Sequence, residues 1–404
     1  MTTRAGVGMS HHHNPNIAGH EAAQQALKKA GIDRPDFVFM FASIGYDQRS
    51  LLRTVRETTG GAPLTGCSAE GTIDGDNADE SNFSVVVTAI SSEELRWRHG
   101  IARGLEDDSH AVGQRVAQEQ LPHLSAETIG LFVFPDGRSD FGVGMGNLDD
   151  LFAGLEENLP SERFLPLWGG GANNNFNMGE PTYQYCDDEV ISGGVSYALL
   201  SGKAKAGWAI SHGCIPIGGE REVTRSKGNL IYEIDGKPAL EVLKEYLPEQ
   251  DLADDRDWMR YAISLALCFR APNYMKDEEY VVRGVPAVKM ADGSITVQTE
   301  VKEGTSIWFS SRDKEKISTG FDRMSQQIKE QLEGEKPKLI FQFECATRGK
   351  MMFREQEKLK ILEQSRQSVG PDTPWAGFYT AGEIGPVEEH NLRHLYTSVV
   401  LALS

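Results

Sequence analysis

Three times along these 404 residues the same grammar appears: a continuous apolar run, a helix-spaced stretch, a glycine-rich turn and a second apolar run. The first copy opens with PDFVFMFAS (Pro35 to Ser43). DQRSLLRTVRETTGG follows, with Leu51, Leu52 and Val55 at helical spacing and Gly60 and Gly61 to stop the helix; then come GCSAEG and NFSVVVTAI. The second runs TIGLFVF (Thr128 to Phe134), a helix carrying Leu148, Leu151, Phe152 and Leu155, the turn LWGGGANNNF, and GGVSYALLSG. The third runs KLIFQFEC (Lys338 to Cys345), a helix near Leu359, Leu362 and Val369, then YTAGEIGP and TSVVLAL. Uninterrupted apolar runs of strand length mark strands covered on both faces, and helices crossing between them supply that cover.

A strand and a helix lead into the later copies. LRWRHGI with DDSHAVGQRVAQEQL precedes the second, and SIWFSS with EKISTGFDRMSQQIKEQL precedes the third. The chain therefore reads as two related halves, and its length exceeds what one core usually supports. The acidic stretch YLPEQDLADDRDW (Tyr246 to Trp258) is expected to be a surface connector between them. The expected fold is α/β: repeated strand–helix–strand units in a layered sandwich, sheets inside and helices outside.

Charge narrows the function. A net charge of −18 without a Lys/Arg cluster disfavours nucleic acid and anionic membranes, whose phosphates demand clustered cations. No apolar run reaches membrane-spanning length. The N-terminus lacks a charged-then-apolar signal pattern. Five scattered cysteines with no CxxC pair fit a reducing cytoplasm better than a disulfide or metal framework.

Candidate chemistry begins at the glycine turns. Glu70 and Glu383 stand in the first and third turns, with Asn173 near the equivalent place in the second. Loop polar residues frequently carry function, so these three are candidates to line a pocket; turns that merely connect are the plainer reading. Arg348, shortly after Cys345, offers a planar donor fork for a carboxylate or other anion. Cys345 and Cys67 read most simply as small core residues, and a thiol enzyme would need one of them beside a base such as His394. His390 and His394 would share a face if their segment were helical. His212, ending the apolar stretch WAISH, reads either as a single axial haem ligand or as an ordinary strand-end histidine. Nucleophile-elbow, phosphate-loop and zinc-protease motifs are absent.

Taken in order, FVFMFAS with GCSAEG, LFVFPDG, WGGGA, AISHGCIPIG, VTRSKGNLIYEIDGKPALEVL, FECATRG and GFYTAGEIGP with HLYT resemble the FIST sensory domain, from about residue 35 to the end. The resemblance assigns residues 1–225 to the N-terminal FIST part and 226–404 to the C-terminal part. It implies an intracellular, non-catalytic sensor of small ligands, amino acids favoured, that requires no cofactor. With the chain taken up by the sensor, the output is expected from a separate protein such as a histidine kinase or a cyclic-dinucleotide enzyme. Some family members bind haem and respond to nitric oxide, which makes His212 the axial-ligand candidate. The C-terminal motif places His394 in the ligand site, although Leu395 stands where the family pattern has Asn. The expected ligand-binding set is Cys67, Glu70, Asn173, Cys345, Arg348, Glu383 and His394. A haem-based nitric-oxide sensor is the alternative, and a cysteine-dependent hydrolase comes after it.

Overall fold

All three apolar runs are strands, and FVFMFAS and LIFQFEC are buried at every position. The computed structural model describes residues 3–138, 147–160, 164–177, 180–247, 252, 254–255, 258, 261, 264–272 and 280–404. They fall into two units. The first comprises Met1–Ile210, Phe321–Arg393 and Ser398–Ser404; the second comprises Ser211–Gly320 and His394–Thr397.

In the first unit the copies are legible strand by strand. Copy one contains β1 (Arg4–Ser10), α1 (Pro15–Ala30), β2 (Phe37–Ser43), α2 (Gln48–Thr58), β3 (Leu64–Ala69), the short hairpin β4 (Thr72–Ile73) and β5 (Ala78–Asp79), and β6 (Val85–Ser91). Asn14 and Asp47 start the two helices by accepting backbone N–H bonds in their first turns. Copy two repeats the plan with β7 (Leu95–Arg103), α3 (Ser109–Gln120), β8 (Thr128–Pro135), α4 (Leu148–Glu157), β9 (Leu167–Gly170), the hairpin β10 (Gln184–Cys186) and β11 (Glu189–Ile191), and β12 (Gly194–Gly202).

Copy three begins with β13 (Ala206–His212), after which the chain builds the second unit. That unit holds β14 (Cys214–Lys227), β15 (Leu230–Ile234), β16 (Lys237–Pro238), α5 (Ala239–Lys244), β17 (Leu265–Arg270), β18 (Tyr280–Gly284), β19 (Ala287–Lys289), β20 (Ser294–Thr296) and β21 (Ser306–Arg312). Copy three then resumes with α6 (Lys314–Gln331), β22 (Leu339–Cys345), α7 (Glu355–Val369), β23 (Trp375–Thr380), the hairpin β24 (Glu383–Val387) and β25 (His390–His394), and β26 (Thr397–Leu403).

Each copy forms the same four-stranded arrangement: β1-β6-β2-β3, β7-β12-β8-β9 and β13-β26-β22-β23. The helix-linked pairs β2–β3, β8–β9 and β22–β23 are parallel. The hairpins are exchanged in a cycle. Copy one's β4 pairs with β23 of copy three, copy two's β10 with β3 of copy one, and copy three's β24 with β9 of copy two.

The inner faces of the three sheets share one aromatic core. Phe39 lies 5.0 Å from Phe132 and 4.9 Å from Phe341 between ring centres, and Phe41 stacks on Phe378 at 4.4 Å. The opposite faces pack beneath helices, as where Phe321, Met324 and Ile328 of α6 and Leu362 of α7 cover Ile340 and Val400. Sheets inside and helices outside is the layering the sequence pattern implies.

Four local expectations change. The glycine-rich stretches read as turns contain strand: GCSA lies in β3, LWGG is β9, and Tyr379–Thr380 end β23, so each copy has a further strand before its hairpin. SIWFSS is β21 and pairs with β14 and β17 in the second unit, so β13, not SIWFSS, is the lead-in strand of copy three. The acidic connector contains Leu252 and Trp258, both buried in the second unit's core; its polarity belongs to the residues between such anchors. The His390–His394 segment is a strand, where a spacing of four also keeps two side chains on one face.

Candidate functional site

The parallel pairs align the copies residue by residue. Gly66 stands opposite Met40, Gly169 opposite Val133 and Gly377 opposite Gln342. A Cβ on these glycines would fall 1.8, 2.1 and 2.2 Å from the facing carbonyl oxygen, so no side chain fits. Counting forward from these anchors makes Glu70, Asn173 and Ala381 equivalent. Glu383 is instead the counterpart of Thr72 and Gln184: each is the first residue of an exchanged hairpin strand, and each pairs with the residue just after an anchor glycine. The resemblance between the Glu70 and Glu383 turns is therefore offset by two positions, and the two acids occupy different structural sites.

The three turns nevertheless converge. Glu70 N–H donates to the Tyr379 carbonyl at 3.1 Å, and Tyr379 N–H returns a bond to Gly71 at 2.9 Å. Gly171 N–H reaches the Gly382 carbonyl at 2.8 Å, and Ala381 N–H the Gly171 carbonyl at 2.9 Å. Asn173 N–H reaches the Ser68 carbonyl at 3.0 Å, while Ser68 Oγ donates to the Asn173 carbonyl at 2.8 Å. Each turn is thus stitched to both others by main chain.

What distinguishes the junctions is side-chain charge. Where the end of β3 meets the loop after β22, Glu70 is 2% exposed, and its Oε1 lies 2.8 Å from Lys350 Nζ. Beside it, Glu80 accepts the Lys350 N–H through both carboxylate oxygens, at 3.0 and 2.7 Å, and Lys358 Nζ at 2.8 Å. Gly349 allows that approach, since a Cβ there would lie 2.0 Å from Glu80 Oε1. Burial pushes the Glu70 carboxyl above its ordinary value; Lys350 pulls it back in part, and Glu80 adds to the rise. Glu80 is raised by burial too, against the pull of Lys358 and Lys350.

Two polar atoms are left over. Glu70 Oε2 and Asn173 Nδ2 are buried and have no hydrogen-bond partner among the described residues. A desolvated carboxylate oxygen without a donor costs free energy that an incoming donor recovers.

Of the remaining candidates, Arg348 is buried with its Nε 2.6 Å from Glu344 Oε1. Glu344 also accepts from Gln342 at 2.7 Å, so the guanidinium is enclosed in a polar network instead of facing outward. Glu383 is fully buried and accepts from Thr380 Oγ1 at 2.6 Å. Cys67 lies inside the aromatic core, where burial drives its thiol well above the ordinary range, unlike a nucleophilic cysteine. Cys345 is buried with its Sγ 3.1 Å from Thr347 Oγ1.

His212 and His394 belong to the second unit and are both buried. His212 Nδ1 accepts the Cys214 N–H at 3.1 Å, which places the proton of a neutral ring on Nε2. An axial ligand presents a bare nitrogen to iron and keeps its proton on the other one. His212 as placed does not fit haem.

Glu80, Lys350 and Lys358 did not stand out in the sequence. Lys350 follows the FECATRG motif directly, but its partners lie in another copy, and no local spacing connects them.

Among the described residues no helix is long and apolar enough to cross a membrane. Uncharacterized proteins of Mycobacterium tuberculosis and Mycobacterium bovis are each 25% identical to this chain over 98% of its length and 98% and 97% of their own. An uncharacterized Methanocaldococcus jannaschii protein is 27% identical over 45% of this chain and 35% of its own. A chorismatase crystal structure aligns with 100% of the chain and 99% of its own at a TM-score of 0.36 and 10% identity, too low to carry an argument. The FIST N domain matches residues 36–237 and the FIST C domain residues 239–386. The chain therefore belongs to the FIST family, non-catalytic small-ligand sensors that act through separate signalling proteins.

Proposed function

We propose that the Glu70 junction receives the ammonium group of an amino acid or a similar small amine. The observation that carries this reading is the spare, buried Oε2 of Glu70 beside a lysine that is 49% exposed. Lys350 acts as a built-in occupant: its Nζ neutralises Glu70, but its half-exposed side chain can swing out, while its own N–H stays on Glu80. A ligand ammonium on Glu70 frees Lys350 to meet the ligand's carboxylate. Glu80 and Lys358 hold the floor of the site, and the Arg348–Glu344 pair stiffens the strand end beneath it.

Signalling requires that the ligand bind one arrangement better than another. Displacing Lys350 supplies such a difference, because the segment following Gly349 then loses its ionic tie to Glu70, just past the end of β3. Family membership supports a cytoplasmic location and an output partner such as a histidine kinase or a cyclic-dinucleotide enzyme. Thermal melts of the purified chain with each of the twenty amino acids test the proposal. A rise in midpoint with one chemical class, absent in Glu70→Gln, supports it; no rise with any of them defeats it.

A further inference from the structure

We propose that His99, Cys186 and Asp187 form a binding site for a zinc-like transition-metal ion, separate from the Glu70 junction. Cys186 is the last residue of β10, and Asp187 occupies the two-residue turn into β11 with a left-handed φ of 50°. The turn is tied down on both sides. Asp187 N–H donates to the Leu64 carbonyl at 3.0 Å, and Leu64 N–H donates to Asp187 Oδ1 at 3.1 Å. His99 comes from β7, its ring set edge-on against Phe37, with Nε2 3.0 Å from the same Oδ1.

One nitrogen, one sulfur and one oxygen donor from these residues lie within 4.8 Å of one another, and all three residues are half-buried. Bonds of about 2.0–2.3 Å in a tetrahedral site place donor atoms roughly 3.5 Å apart, so the His99–Asp187 pair, at 3.0 Å, opens slightly while any wider pair, at most 4.8 Å, closes in. An imidazole, a thiolate and a carboxylate form a donor set that favours zinc and its neighbours over magnesium or calcium. Three protein ligands leave a fourth position open, as in zinc sites that accept an exogenous group.

The surrounding charge is compatible. A divalent ion takes the place of the Cys186 thiol proton, which leaves to solvent. The nearby cations are already engaged: Arg56 lies 3.1 Å from Asp188 and 3.6 Å from Asp187, and Arg103 is paired with Glu189. With Cys186 as thiolate, the carboxylates of Asp187, Asp188 and Glu189 leave an excess of negative charge for the ion.

The test is a cobalt(II) titration of the full chain, followed by absorption and by proton release. A thiolate-to-cobalt charge-transfer band saturating at a single equivalent is expected, displaced by added zinc. It should vanish in Cys186→Ser and in His99→Ala, with unchanged circular dichroism showing that both variants fold. It should persist when His11, His12 and His13 are all replaced by alanine, which separates this site from the N-terminal histidines. Absence of the band in the parent chain, or its survival in Cys186→Ser, overturns the proposal.

Discussion

Lys350 Nζ and Glu70 Oε1 stand 2.8 Å apart although one belongs to the third copy of the repeat and the other to the first. The pair is asymmetric, because Glu70 is enclosed and Lys350 is half in water. Removing the negative charge therefore leaves a lysine that solvent can satisfy. Glu70→Gln is expected to keep the fold, with an unfolding free energy at neutral pH no lower than the parent's, and to lose the amino-acid response. Melts with and without ligand measure both effects.

A pH dependence follows from the same carboxyl. Its folded pKa is raised above the ordinary glutamate value of 4.5, so the native state binds its proton more tightly than the unfolded chain does. Stability from this group is complete below that ordinary value and is lost as pH rises through the raised one. Glu80 is shifted in the same direction. Urea midpoints are expected to fall across that window, and the slope should flatten in Glu70→Gln; an unchanged slope would show that Glu70 is not desolvated.

Glu80 is different because its partner is enclosed. Lys358 is 5% exposed and sits 2.8 Å from Glu80 Oε2. Among the described residues Glu80→Ala leaves that ammonium with Glu355 as its one carboxylate, which is much more exposed, and should cost about 3–5 kcal/mol in urea unfolding. Replacing both residues by apolar ones, Glu80→Leu with Lys358→Met, should recover most of the loss. The double-mutant cycle then reports the coupling directly.

The anchor glycines predict a steric result. Gly66→Ala, Gly169→Ala and Gly377→Ala each drive a methyl into a facing carbonyl, and Gly66 and Gly169 also have φ of +149°. Each is expected to lose about 1–3 kcal/mol or more. Gly219→Ala, with no described residue within 4 Å of its Cβ, is the matched control and should change stability by less than about 0.5 kcal/mol.

Phe39 tests the shared core, because it touches rings from both other sheets. Phe39→Ala is expected to cost about 3–5 kcal/mol in chemical denaturation. A cost below 1 kcal/mol would mean that the sheets do not depend on one another.

Layering and repetition were readable along the chain, because continuous apolar runs and helix-spaced stripes are local signals set by which faces must leave water. The glycine-rich stretches read as turns were in part strands: Gly66, Gly169 and Gly377 lie inside β3, β9 and β23, where the facing carbonyl leaves no room for a side chain. The pairing of Glu70 with Lys350 and of Glu80 with Lys358 was not readable, since each joins copies far apart in sequence, and charge partners carry no period. Nor could the turns be aligned by eye. Glu70 and Glu383 look alike in glycine-rich text, yet the parallel register of β22 with β23 places them two positions apart. Local hydrophobic pattern therefore determined the elements and their layers. Tertiary structure alone decided which acid is desolvated beside a movable cation, because desolvation depends on what other copies bring to the junction.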